Sequence, residues 1–237
     1  MAETAQGKAS ESGSGSGTEI GSGRASEREF WDGRYRERGQ IWSGEPNVQL
    51  VREVADLAPG SALDLGCGEG GDSVWLAARG WRVTAVDISD VALARAARHA
   101  ADAGVSERIV WERHDLAVSF PRGSYDLVSA QFLHSPGDMP RERILRDAAA
   151  AVAPGGVLLI VGHAGLPPWE DGADHPGVHL PTPEEVLAGL RLADGEWEVL
   201  RADEHERVQN DPEGRPVTRT DNAVLIRRSR AGAAVTR

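Results

Sequence analysis

The chain has 237 residues, 40% of them apolar, enough to bury one substantial core with appendages. Asp and Glu total 37 against 26 Lys and Arg, a net charge of −11 that repels phosphate backbones and argues against a nucleic-acid or anionic-membrane partner. The single cysteine, Cys67, leaves no internal disulfide and fits a reducing compartment, and no apolar run of about 18 residues exists to span a bilayer.

Residues 1–24 are rich in Gly, Ser and Glu and read as a disordered tail, because they cannot bury enough apolar surface to offset ordering. They show neither the basic start nor the apolar stretch of a signal peptide, so a cytoplasmic location is expected. Residues 25–229 read as a single domain and 230–237 as a frayed tail. The domain opens with a helical lid over 25–58: Phe30, Trp31 and Tyr35 share one face over 25–38, and Val48, Val51, Val54 and Leu57 continue the pattern over 46–57. Strands are predicted at 61–65, 81–86, 108–113, 125–132 and 157–161, and helices at 72–79, 90–103, 141–152 and 183–192. Two last strands, 197–201 and 223–227, joined by a polar stretch, read as a hairpin at the sheet edge. Strands alternating with helices imply an α/β fold, a mostly parallel sheet covered on both faces.

The first strand runs into Leu63-Asp64-Leu65-Gly66-Cys67-Gly68-Glu69-Gly70-Gly71, where glycines let the backbone approach a ligand. The second strand ends in Asp87, followed by Ile88, a carboxylate placed to accept both ribose hydroxyls; Asp115, followed by Leu116, lies after the third strand near an expected adenine edge. Gly66, Gly68 and Gly71 also satisfy a dinucleotide fingerprint, so a nicotinamide oxidoreductase stays open at this point. Asp64, Glu69 and Asp115 tip the balance toward a methyl donor: Asp64 suits an ammonium group, and Glu69 stands where it would repel a pyrophosphate.

The stretch Ala62–Leu65, the Gly66-Cys67-Gly68 loop, Asp87 and Pro154-Gly155-Gly156-Val157-Leu158 resemble the motifs of class I S-adenosylmethionine (SAM)-dependent methyltransferases, over roughly Phe30 to Arg228. The resemblance implies a Rossmann-like seven-stranded fold with an antiparallel last strand, SAM as cofactor and S-adenosylhomocysteine as its product. It assigns the methionine portion to Gly66 and Gly68, ribose to Asp87 and adenine to Asp115. Phe30-Trp31-Asp32-Gly33-Arg34-Tyr35 with Ile41-Trp42-Ser43-Gly44-Glu45-Pro46-Asn47 is similar to the lid of the tellurite-resistance and thiopurine-methyltransferase-like branch, which implies a small thiol or other soft acceptor and places Trp42 near the donor. A small-metabolite oxygen or nitrogen is the alternative acceptor, and a non-catalytic SAM-binding module or a protein or RNA methyltransferase stands further off. At the carboxyl ends of the fourth and fifth strands, Gln131 is expected to touch donor or substrate, while His134 and His163 are the candidate bases, histidine titrating near neutrality. His175 and His179 fall in a Pro/Gly-rich stretch read as a solvated loop, without the spacing of a metal site. Arg95 and Arg98 read as a solvated helix face, and Cys67 as a packing residue; the expected partner is a small molecule, and the expected assembly a monomer or weak homodimer.

Overall fold

The computed structural model describes residues 19–135, 139–169 and 179–230. In chain order the elements are α1 (Glu19–Glu37), α2 (Val48–Val54), β1 (Ser61–Leu65), α3 (Gly71–Ala78), β2 (Arg82–Asp87), α4 (Asp90–Asp102), β3 (Ile109–Arg113), β4 (Tyr125–Gln131), α5 (Arg141–Ala150), β5 (Val152–His163), α6 (Pro183–Leu190), β6 (Trp197–Asn210) and β7 (Pro216–Arg228). They build a seven-stranded sheet of order β3-β2-β1-β4-β5-β7-β6. The first five strands run parallel, while β7 pairs antiparallel with β5 and with β6.

Alternation along the strands separates two cores. Leu63, Leu65, Val128, Leu158 and Ile160 face α5 and α6 through Ile144, Leu145, Val186 and Leu190. Ala62, Val83, Ala85, Leu159 and Val161 face the other way, against Leu50 and Val54 of α2 and Leu76 of α3. The doubly covered, nearly all-apolar β5 follows from that burial. The chain order reverses between β1 and β4, so a crevice is expected beyond their carboxyl ends, where parallel sheets bind ligands.

Three departures from the sequence reading exceed a few residues or change an element's character. Residues 19–24, expected within the tail, are the first turns of α1. Strand β5 starts at Val152 rather than 157, because Val152 pairs with Tyr125 and the ladder resumes at Leu127–Val157, leaving Pro154-Gly155-Gly156 as an irregularity inside the strand. The edge hairpin is far longer than expected: β6 and β7 pair from Trp197–Arg228 to Asn210–Pro216, reaching beyond the last β5 partner, His163–Asp221. Residues 1–18 and 231–237, expected as tails, and residue 175 lie outside the described residues.

The lid is held down by buried polar contacts. Glu69, in the glycine loop, accepts the backbone N–H groups of Ile41 and Trp42, both at 3.0 Å, and Arg95 Nη1 at 2.8 Å. Arg95 also donates to the Tyr35 carbonyl oxygen and to that of Arg38, the latter at 2.8 Å, so it is not the solvated residue expected on α4. Asp32 of α1 accepts Ser89 Oγ at 2.6 Å, and Asp72 accepts the Asn47 backbone N–H and side-chain amide. Replacing Arg95 by Met leaves the buried Glu69 carboxylate without its counter-charge, a loss of about 3 kcal/mol. Hydrogen exchange should then speed up about a hundredfold over residues 30–42 while the β1, β4 and β5 amides keep their protection; unchanged exchange in the lid would sink the latch.

Candidate active site

The glycine loop turns sharply off β1. Gly66, Gly68 and Gly70 have φ of 71°, 53° and 86°, backbone that side chains adopt only with strain. A Cβ on Gly66 would stand 2.8 Å from Leu133 Cδ1, and one on Gly68 would lie 3.1 Å from Tyr35 Oη and 3.2 Å from Trp42 Nε1. Trp42 Nε1 donates to Tyr35 Oη at 3.1 Å, so the lid places a polar aromatic pair directly above the loop. Burial, with Asp87 nearby, pushes the Tyr35 phenol far above its ordinary range.

Asp87 closes the other side. Its two carboxylate oxygens accept the Gly68 and Ser89 N–H groups, each at 2.9 Å, while burial pushes its pKa up against those bonds. Ile88 beside it is half-buried. Cys67 lies between the two glycines, its thiol pushed well up by burial and then by Asp87, which keeps it a neutral packing group. Asp115 Oδ1 accepts the Ala117 N–H at 2.9 Å at the start of the loop after β3, and Leu116 is buried in the core facing α5.

Asp64 and Glu69 are both engaged within the fold. Asp64 is 2% exposed and accepts Ser73 Oγ of α3 at 2.6 Å. Burial, then the neighbouring Asp72 carboxylate, pushes its pKa up to about 7. Glu69 faces the lid, not a ligand's path; burial opposes its ionisation, but the Trp42 N–H, Arg95 and the Ile41 N–H outweigh that and hold it below the usual range. Its position is therefore no argument against a pyrophosphate.

A second cluster sits at the carboxyl ends of β4 and β5 and beside the amino-terminal half of β7. His134, in the loop after β4, and His163, the last residue of β5, stack with ring centroids 5.5 Å apart at 14°. His163 Nδ1 lies 2.8 Å from Asp221 Oδ1, and Asp221, fully buried, also receives Arg207 Nε. Burial disfavours the Asp221 carboxylate, but His163 and Arg207 overcome it and hold its pKa below the ordinary range. Phe132, strained at φ 49°, lies between the His163 ring at 4.6 Å and the Arg207 guanidinium at 5.4 Å. His134 is pushed down to about 4, by burial first and then by Arg141 and His163, so its ring is neutral at pH 7; its Nε2 is buried without a partner. Gln131 donates to Ser129 Oγ at 3.0 Å and leaves its Oε1 buried and unpaired. Sequence reasoning missed Asp221 and Arg207, whose strands were drawn too short. His179, expected in a solvated loop, lies 3.0 Å from Glu185 at the start of α6. Among the described residues, no group of three His, Cys, Asp or Glu side chains is placed to hold a metal.

Residues 62–156, the stretch from β1 into β5, match the family model described as a methyltransferase domain. A ribosomal RNA small subunit methyltransferase C of Chromohalobacter salexigens is 36% identical over 122 residues, 50% of this chain and 36% of that protein. The chain spans about half or less of the length of the first curated relatives it matches. A structure described for the conversion of a disulfide bond into a thioacetal group during echinomycin biosynthesis superposes with a TM-score of 0.66 at 24% identity, covering 88% of this chain and 94% of that one. The N-methyltransferase NodS of Bradyrhizobium japonicum WM9, in complex with S-adenosyl-L-homocysteine, gives 0.61 at 19% identity, covering 85% and 97%.

The fold is thus the Rossmann-like class I methyltransferase fold. A methyltransferase domain of this fold implies SAM as its cofactor. The residues present fit it: the Asp87 carboxylate lies beside the glycine loop, and the unpaired Gln131 Oε1 is buried at the end of β4.

An acid whose folded pKa exceeds its unfolded value near 3.8 loses its stabilising contribution as pH rises from about 4 through 7, which is the case for Asp64. Asp64→Asn should therefore gain on the parent protein in thermal midpoint between pH 4 and pH 8. A constant difference across that range would show that Asp64 does not titrate there.

Proposed function

We propose that the protein transfers the methyl group of SAM to a small-molecule acceptor, with a thiol or other soft nucleophile first among acceptors. The observation that carries this reading is the placing of the glycine loop and Asp87 on one side of the β1/β4 crevice and the Asp221–His163 pair with His134 on the other. When bound, SAM supplies an electrophilic methyl group on a sulfonium. Gly66 and Gly68 take the methionine portion, with Trp42 above them; Asp87 takes the ribose, with Ile88, Asp115 and Leu116 toward the adenine.

Asp221 accepts the Nδ1 proton of His163, which leaves Nε2 as the lone pair that takes the acceptor's proton. His134, neutral at pH 7, presents a second lone pair without adding charge. The lid restricts water, and the crevice holds nucleophile and methyl in register, which is most of what such a displacement requires. A thiol needs His163 little, whereas a hydroxyl needs it much. That oriented base is the specific observation favouring an oxygen or nitrogen acceptor as second reading. The tellurite-resistance and thiopurine-like branch rests on the lid motif alone. The acidic composition favours a small-molecule acceptor over RNA, although a ribosomal RNA enzyme is among the relatives.

Calorimetry with S-adenosylhomocysteine should give binding that Asp87→Ala weakens by about tenfold or more, the scale of one lost charge-assisted hydrogen bond. Methyl-labelled SAM incubated with a small-molecule extract should yield labelled product. His163→Asn and Asp221→Asn should lower its rate by roughly 10²–10⁴ for a hydroxyl acceptor and far less for a thiol, with S-adenosylhomocysteine affinity unchanged. Prior alkylation of extract thiols removes the product if the acceptor is sulfur. Absence of any S-adenosylhomocysteine binding would end the methyltransferase reading.

A further inference from the structure

The arginines of α5 divide into two kinds. Arg143 pairs with Asp147 and donates to the Leu116 and Ala117 carbonyls, and Arg146 pairs with Glu142 and donates to the Gly189 carbonyl. Arg141, the first residue of the helix, has no carboxylate partner among the described residues, and its Nε is buried with no hydrogen bond. Burial pulls its pKa down, yet a guanidinium stays protonated at any ordinary pH, so it keeps a half-buried charge whose Nε donor is out of water. Among the described residues, nothing in the packing around α5 repays that cost.

Arg141 is aimed at the acceptor side of the crevice. It is the strongest charged influence on His134. Its Nη2 lies 3.6 Å from where a Cβ on Gly162 would stand, and Asn222 Oδ1 is 3.2 Å from the same point. Gly162 and Asn222 are cross-strand partners one step from His163–Asp221. Asn222 is 1% exposed; its amide donates to the Pro181 carbonyl at 2.7 Å, while its Oδ1 is buried and unpaired. The missing side chain at Gly162 therefore leaves a notch between the Arg141 guanidinium and the Asn222 amide oxygen, both unpaired among the described residues. His134 Nε2 and Gln131 Oε1, also unpaired, lie at the neighbouring end of β4.

We infer that the notch takes a small carboxylic acid, Arg141 receiving the carboxylate and Asn222 Oδ1 accepting a hydroxyl, thiol or amine proton a few bonds away. This rests on the methyltransferase reading only in making that acid the methyl acceptor; the binding stands apart from it. A planar guanidinium receives a carboxylate through two parallel bonds, which supplies both charge and orientation. The site also places a cation where a protein of net charge −11 would otherwise repel an anionic substrate.

The test uses full-length protein saturated with S-adenosylhomocysteine, titrated with salicylate, salicylamide, 3-mercaptopropionate and 3-mercaptopropionamide, with acetate as competitor. Each acid should bind at least about tenfold more tightly than its amide, acetate should compete, and Arg141→Met should abolish the preference while the S-adenosylhomocysteine affinity stays unchanged. Arg141→Lys, which keeps the charge in a folded site and loses the fork, should retain part of it. Equal binding of acid and amide, or a preference that survives in Arg141→Met, overturns the inference even where S-adenosylhomocysteine binds and another acceptor is methylated. Failure of S-adenosylhomocysteine to bind overturns the methyltransferase reading instead, and acid-over-amide binding would still sustain the notch.

Discussion

The Glu69 carboxylate is the contact on which the geometry of the donor half depends. It lies in the loop that leaves β1, and it gathers Ile41 and Trp42 from the lid and Arg95 from α4 onto one pair of oxygens. Arg95 carries the tie further by holding the Tyr35 and Arg38 carbonyls, and His99 Nδ1 reaches the Glu69 carbonyl at 2.9 Å. A buried charge pair is weak evidence for stability, but one supplied with this many hydrogen bonds fixes an arrangement. Here the arrangement is the height of Tyr35 and Trp42 above Gly68, and so the shape of the space between lid and loop.

The cluster around Asp221 is organised by a different economy of charge. Asp221 is fully buried and serves two nitrogen donors, orienting the His163 ring and fixing Arg207 against Phe132. One anion against Arg207 and the nearby Arg141 leaves the local balance positive in an acidic protein. That balance also explains why His134 resists protonation: a further charge would add to cations already in a water-poor place.

The fold was legible in the sequence because its signals are local. Glycine at the ends of β1 and of the helices, apolar runs for doubly covered strands and an Asp closing β2 each act within a few residues. The donor side shared this advantage, since Gly66, Gly68 and Asp87 belong to one strand–loop–strand unit and meet through a single bond, Gly68 N–H to Asp87. What escaped were pairings across long separations. Glu69–Arg95, Asp221–His163 and the Glu69 bonds to the lid join residues 26 to 58 positions apart, and charge alone gives no hint of register. The outer half of the β6–β7 hairpin was hidden by its composition: Asp203, Glu204, Glu206 and Arg207 read as loop because half their neighbours face water.

That hairpin leaves β6 as the open margin of the sheet, fourteen residues long, with Val199 and Val208 uncovered. A strand of such length invites lateral growth by a second chain and ultimately fibril formation. Glu198, Asp203, Glu204 and Glu206 stand exposed along it, so an identical strand laid alongside would bring carboxylate against carboxylate. The acidity of this chain thus has a colloidal use that is independent of any ligand: it keeps a long bare margin from polymerising.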